Sequence, residues 1–151
     1  MEYKILKTKE ELEQMYKLRK EVFVDEQKIP LEFEKDEKDE KDDLLDTVHV
    51  GVFLNEKLVA TARIMKFNDD VVYFGRACVS KKCRSLGVGK FLFLNMEKTV
   101  IENKKSNEKR TIKFSAQYHA LKFYQMLGYS VDDGKIFLEF SIKHIKMSKI
   151  V

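Results

Sequence analysis

The amino-acid sequence predicts an α/β protein, a central mixed β-sheet flanked by helices. Three observations carry that prediction. An apolar strand (residues 71–79) runs through a basic loop with two glycines into an apolar, helix-forming run (91–101). An antiparallel meander with short turns leads into that strand. A strand, a short helix and two more strands follow it, and strand–helix–strand in succession implies a crossover between locally parallel strands.

In order, Tyr3-Lys4-Ile5-Leu6 is short and mixed, as an edge strand is. Thr8-Lys9-Glu10-Glu11 reads as a capping box, with Leu12, Met15, Tyr16, Arg19, Val22 and Phe23 at helical spacing, so a helix is predicted to about Val24. Residues 25–46 break the pattern. They hold the only proline, Pro30, and then Glu34-Lys35-Asp36-Glu37-Lys38-Asp39-Glu40-Lys41-Asp42-Asp43, a charged repeat without an apolar face. Such a run has nothing to recruit it to a core, so a mobile, solvated loop is predicted over 33–43. Deleting Glu34 to Asp42 is then expected to cost little stability. The run has no glycine at the sixth position an EF-hand requires, so no metal is predicted.

Strands follow at 47–54, 57–67 and 71–79, joined by Asn55-Glu56 and Asn68-Asp69-Asp70. After the glycine loop and its helix come a strand at 110–115 and a short helix at 120–127 closed by Gly128. The last stretch reads as a strand at 129–131, a turn at Asp133-Gly134 and a final strand at 136–146.

The chain of 151 residues is most simply one domain, 1–151, and 44% hydrophobic content with 11 Phe and 6 Tyr can fill a core. The net charge of +4 comes from 29 basic and 25 acidic residues, interspersed and without an arginine block. That pattern suits a small polyanionic ligand, and nucleic acid is not expected. Two cysteines, Cys78 and Cys83, make no disulfide framework. Met1-Glu2-Tyr3-Lys4 does not begin a signal peptide, and no apolar run approaches roughly 18 residues. A cytoplasmic protein without a membrane segment is the expectation.

Strand, glycine loop and helix start make the layout of an anion site, because the first N–H groups of a helix lack internal partners. Walker A is absent, and the dinucleotide fingerprint fails at position 92, which is Leu. What stands there is Arg84-x-x-Gly87-x-Gly89. This resembles the acetyl-CoA pyrophosphate loop of the GCN5-related N-acetyltransferases, the GNAT family. Gln117-x-x-Ala120-x-x-Phe123-Tyr124-x-x-x-Gly128-Tyr129 resembles the family's C-terminal motif, with Gln117 where Asn is commoner. Leu18-Arg19-x-x-Val22-Phe23-Val24-x-Glu26-Gln27, Gly75-Arg76 and Phe137-x-Glu139-x-x-Ile142-x-His144-Ile145-x-Met147 resemble the small ElaA/YjcF-like branch. Arg19-x-x-x-Phe23 with Asp43, Asp46 and Arg63 is also similar to acyl-homoserine-lactone synthases of the same fold, although their early tryptophan is absent.

The resemblance implies the GNAT fold and acetyl-CoA as co-substrate, with no metal. Ser85, Leu86, Gly87, Val88, Gly89 and Lys90 would hold the pyrophosphate with Arg84 nearby, and Gln117 and Phe123 would meet the cofactor arm. A bulge late in the fourth strand would free N–H groups at Ala77, Cys78 and Val79 for the thioester carbonyl. Tyr124 would protonate the departing thiolate. Arg19, Glu26, Arg63 and Arg76 are the candidate acceptor-binding residues, with salt-bridging to the acidic loop as the alternative role of Arg63 and Arg76. The base is open among Glu26, Glu32, His49, His119, Glu139 and His144, and Cys83 has no neighbour in sequence that argues for an acyl-enzyme. The acceptor expected is the primary amine of a small molecule, glucosamine 6-phosphate preferred. Polyamines, amino acids and aminoglycosides stay open, as do a lactone-synthase-like activity, a silent CoA-binding module and a homodimer.

Overall fold

The computed structural model describes residues 1–34, 46–105 and 108–151. Seven strands make one mixed sheet: β1 (Glu2–Ile5), β2 (Val48–Leu54), β3 (Lys57–Met65), β4 (Val71–Val79), β5 (Thr111–Gln117), β6 (Ser130–Glu139) and β7 (Ile142–Ile150). Their order across the sheet is β1-β2-β3-β4-β5-β7-β6. Every neighbouring pair is antiparallel except β4 and β5, as the crossover predicts. The β2–β3 turn is Asn55-Glu56, both at positive φ (50° and 65°), the twist that suits a two-residue hairpin.

Helix α1 (Lys9–Arg19) starts on the predicted capping box, Thr8 accepting from the Glu11 N–H and Glu11 from that of Thr8. The predicted continuation to Val24 is corrected. From Lys20 to Glu26 the backbone winds as a π-helix, with Gln27 N–H bonded to Val22 O at 3.0 Å. The wider turn keeps Val22 and Phe23 buried while it carries Glu26 and Gln27 toward the glycine loop and β5. Helix α3 (Val88–Glu102) packs on the opposite face of the sheet, over an aromatic cluster of Phe74, Phe93, Phe114 and Tyr129. A smaller cluster under α1 holds Met15, Leu18, Val22, Phe23 and Cys78.

Two further expectations are corrected. Residues 31–34 form a helical turn, α2 (Leu31–Glu34), and Glu34 is only 4% exposed, so the loop predicted over 33–43 does not begin at 33. Its carboxylate takes the Nε of Arg19, itself 1% exposed, and its carbonyl takes Arg19 Nη2 at 2.8 Å. Residues 35–43 of that expectation lie outside the described residues. The Asp133-Gly134 turn does not end a strand either: Gly134 (φ 73°) sits in a bulge within β6, where Asp133 Oδ1 accepts the Lys135 N–H at 2.9 Å. The hairpin reverses at Phe140-Ser141, both at positive φ (49° and 65°).

Candidate active site

The parallel ladder between β4 and β5 is short. It joins Val71–Tyr73 to Thr111–Lys113 and stops, although β4 runs to Val79 and β5 to Gln117. Beyond that point the strands part, and a cleft of about 1320 Å³ opens between them.

On the α3 side, the cleft ends at the glycine loop. Ser85 (φ 67°) and Gly87 (φ 78°) turn the chain into α3, and no side chain caps that helix. Its first N–H groups are therefore available to an anion, with the positive end of the helix dipole behind them. At Gly89 a Cβ would sit 3.4 Å from the Phe123 ring, ordinary van der Waals contact, so the start of the helix lies directly against that ring. Helix α4 (Leu121–Met126) supplies Phe123 and Tyr124 to the same wall.

A bulge is present in β4. Thr61 pairs with Cys78 and Arg63 with Gly75, so Arg76 and Ala77 face the single residue Ala62. The extra residue lies at Arg76 (φ 50°), just ahead of the Ala77–Val79 stretch that the resemblance points to. Downstream, Ser80 N–H bonds to Val59 O at 2.7 Å. Antiparallel residues alternate between facing the partner strand and facing away, so the Val79 N–H and C=O turn away from β3, toward the gap left by β5. The carbonyl is taken by Arg84 Nε at 3.1 Å. The N–H points where β5 no longer reaches.

Tyr124 lies between two aromatic neighbours, its ring 4.7 Å from Phe114 and 5.1 Å from Phe93. Burial pushes its phenol up to about 12, so it keeps its proton at neutral pH. The same cause holds the Cys78 thiol at about 12, protonated and unreactive.

Several candidate residues are brought together, in part by binding one another. Glu26 and Arg84 form a bidentate pair, at 2.6 and 2.8 Å. The Arg84 hydrogen bond lowers the Glu26 carboxyl, which makes Glu26 a weak proton acceptor. Gln117 donates to Gln27 on the π-turn at 3.0 Å and meets His119 at 2.8 Å. Arg76 donates to the carbonyls of Phe33 and Glu34, both at 3.1 Å, while Arg63 and Glu34 line the cleft beside it. Arg19 stands behind that wall and reaches the cleft through Glu34.

Of the base candidates, Glu26, His119, Glu139 and His144 line the cleft. His49 is buried opposite Arg63 between β2 and β3, and Glu32 is exposed on α2. Sequence reasoning passed over three contributors: Glu34, Gln27 and the Phe33–Phe140 contact (5.3 Å) that joins α2 to the β6–β7 turn across the cleft. Leu31 and Phe33, apolar residues just before the charged run, were the available signal for α2.

The family description "Acetyltransferase (GNAT) domain" matches residues 8–151. YjcF of Bacillus subtilis (strain 168), named an uncharacterized N-acetyltransferase, is 34% identical over 145 residues, 96% of this chain and 96% of that protein. The crystal structure of Escherichia coli ElaA superposes with a TM-score of 0.83 at 30% identity, covering 98% of each chain. An acyl-CoA N-acyltransferase from Pseudomonas aeruginosa superposes equally well, with a TM-score of 0.83 at 28% identity over 99% of each chain.

Proposed function

Because the chain belongs to the GNAT family of N-acetyltransferases, we propose that it transfers the acetyl group of acetyl-CoA directly to the primary amine of a small molecule. The observation that carries the reading is the parting of β4 from β5 between an uncapped helix N-terminus and Tyr124. A pyrophosphate fits the amides of residues 87–90, and the pantetheine arm fits the gap. The thioester carbonyl would meet the outward Val79 N–H, with the departing sulfur near Tyr124. The name of the Pseudomonas relative, an acyl-CoA N-acyltransferase, supports a CoA thioester as donor.

For the acceptor we propose an amine that also carries an anionic group, glucosamine 6-phosphate first. Arg63, Arg76, Lys113 and Lys146 all line the cleft, and a phosphate takes charge-assisted hydrogen bonds from such groups. We place the protein in the cytoplasm, in keeping with its two free cysteines. A homodimer finds support in β6, an edge strand of the sheet, which exposes Ile136 and Leu138 (50% and 66%); a molar mass measured in solution decides it.

Acetyl-CoA at 100 times its dissociation constant is expected to stabilise the fold by about 2.7 kcal/mol. An unchanged melting temperature at millimolar acetyl-CoA sinks the donor assignment. A panel of amines is then assayed for release of CoA thiol. Turnover of glucosamine with none of its 6-phosphate removes the anion argument. Binding of acetyl-CoA without thiol release from any amine favours a silent CoA-binding module.

A further inference from the structure

We infer that His144 is the general base that takes the proton from the acceptor amine, an inference that rests on the acetyl-transfer reading above. His144 lies on β7 directly opposite Gln117 of β5. Residues paired in this way project from the same face of a sheet. Gln117 uses that face to reach Gln27 on the π-turn, so His144 belongs to the α1 side of the cleft, across the sheet from α3. The imidazole is only 8% exposed, yet it lines the cleft and packs on Phe137, ring centroids 5.7 Å apart.

Its proton inventory decides its role. Nδ1 lies 2.8 Å from the carbonyl oxygen of Ile142. A carbonyl only accepts, so Nδ1 carries the hydrogen, and in the neutral ring Nε2 then keeps a bare lone pair. Among the described residues, Glu139 of β6 brings a carboxylate oxygen, Oε2, to 3.9 Å from Nε2, beyond hydrogen-bond distance. The other titratable groups close by are His119, on the turn packed against β7 and bonded to Gln117, and Lys146, whose Nζ sits over Phe137 at 6.0 Å. The remaining carboxylate among the base candidates near the cleft, Glu26, is tied to Arg84.

The step balances. The acceptor ammonium gives one proton to Nε2, directly or through one water, and its freed lone pair bonds to the thioester carbonyl carbon. As the adduct collapses the C–S bond breaks, the electron pair leaves on sulfur, and sulfur takes the Tyr124 proton. The second proton of the new amide nitrogen restores the phenol, and His144 returns its proton to solvent. One proton is released per turnover.

Two measurements test this. Long-range proton–nitrogen spectra read the tautomer of each of the three histidines, with His144 assigned by its loss in His144→Gln. The neutral ring of His144 is expected as Nδ1–H; an Nε2–H ring overturns the assignment and needs no acceptor to be seen. In turnover with glucosamine 6-phosphate, or whichever panel amine releases CoA fastest, His144→Gln should lower kcat by about 10²- to 10³-fold near neutral pH. The acetyl-CoA thermal shift should be retained, which shows that the variant folds and binds donor. With hydroxylamine, whose nitrogen is already unprotonated near neutral pH, the variant should approach the wild-type rate. An equal loss with both acceptors makes His144 structural. A wild-type protein that acetyl-CoA fails to stabilise is a separate failure, of the donor reading.

Discussion

Tyr124→Phe is expected to lower kcat by about 10²-fold or more, with acetyl-CoA binding little changed, because the phenolic proton is used only in the chemical step. The packing argues that the change is local. The ring is fixed by Phe93, Phe114 and Phe123, and phenylalanine keeps every one of those contacts. Burial pushes the phenol up to about 12, and among the described residues no hydrogen bond shifts it. Such a group keeps its proton at neutral pH, so the proton is in place for the sulfur when the C–S bond breaks. The comparison is made at saturating acetyl-CoA, with the thermal shift recorded on both proteins. Equal kcat in the variant would leave Tyr124 as one more ring in the aromatic cluster.

Much of this site was legible in the sequence, because its parts are local. Thr8 and Glu11 cap a helix by their own spacing, and Arg84, Gly87 and Gly89 mark a tight loop that runs into a helix start without a side-chain cap. What was not legible depends on partners far along the chain. Nothing within Val22–Gln27 announces an i→i+5 bond; the π-turn is selected by Glu26 meeting Arg84 and Gln27 meeting Gln117. Asp133-Gly134 has the composition of a hairpin turn, yet the strand resumes after it, and Ile136 pairs with Ile145. The true reversal falls on Phe140-Ser141, a pair with neither Gly nor Asn to mark it, where Phe140 gains the contact with Phe33 across the cleft. His144 sits in plain view as a histidine on a strand, and only the Ile142 carbonyl identifies which nitrogen is free.

Glu34→Ala is expected to destabilise the fold by about 3 kcal/mol, the low end of what breaking a buried ion pair costs. In sequence Glu34 opens a charged repeat and looks like any other solvated acid. In the structure Glu34 itself is buried and bonded: its carboxylate holds the buried Arg19, and its carbonyl takes both Arg19 Nη2 and Arg76 Nε. Removing the carboxylate leaves a guanidinium on α1 that cannot give up its charge in a site 1% exposed. A deletion that begins at Glu34 removes the same group, so the small cost expected for such a deletion is replaced by this larger one. Against a typical domain stability of about 5–15 kcal/mol, that is a readily measured share. Urea unfolding of three variants separates the causes. Glu34→Gln keeps an acceptor without charge and should fall between wild type and Glu34→Ala. Arg19→Met combined with Glu34→Leu removes both charges and should recover much of the loss, since apolar replacement of a buried pair is often near neutral. A Glu34→Ala protein within about 0.5 kcal/mol of wild type, the range of ordinary surface changes, would mean that the pair carries no weight in the fold.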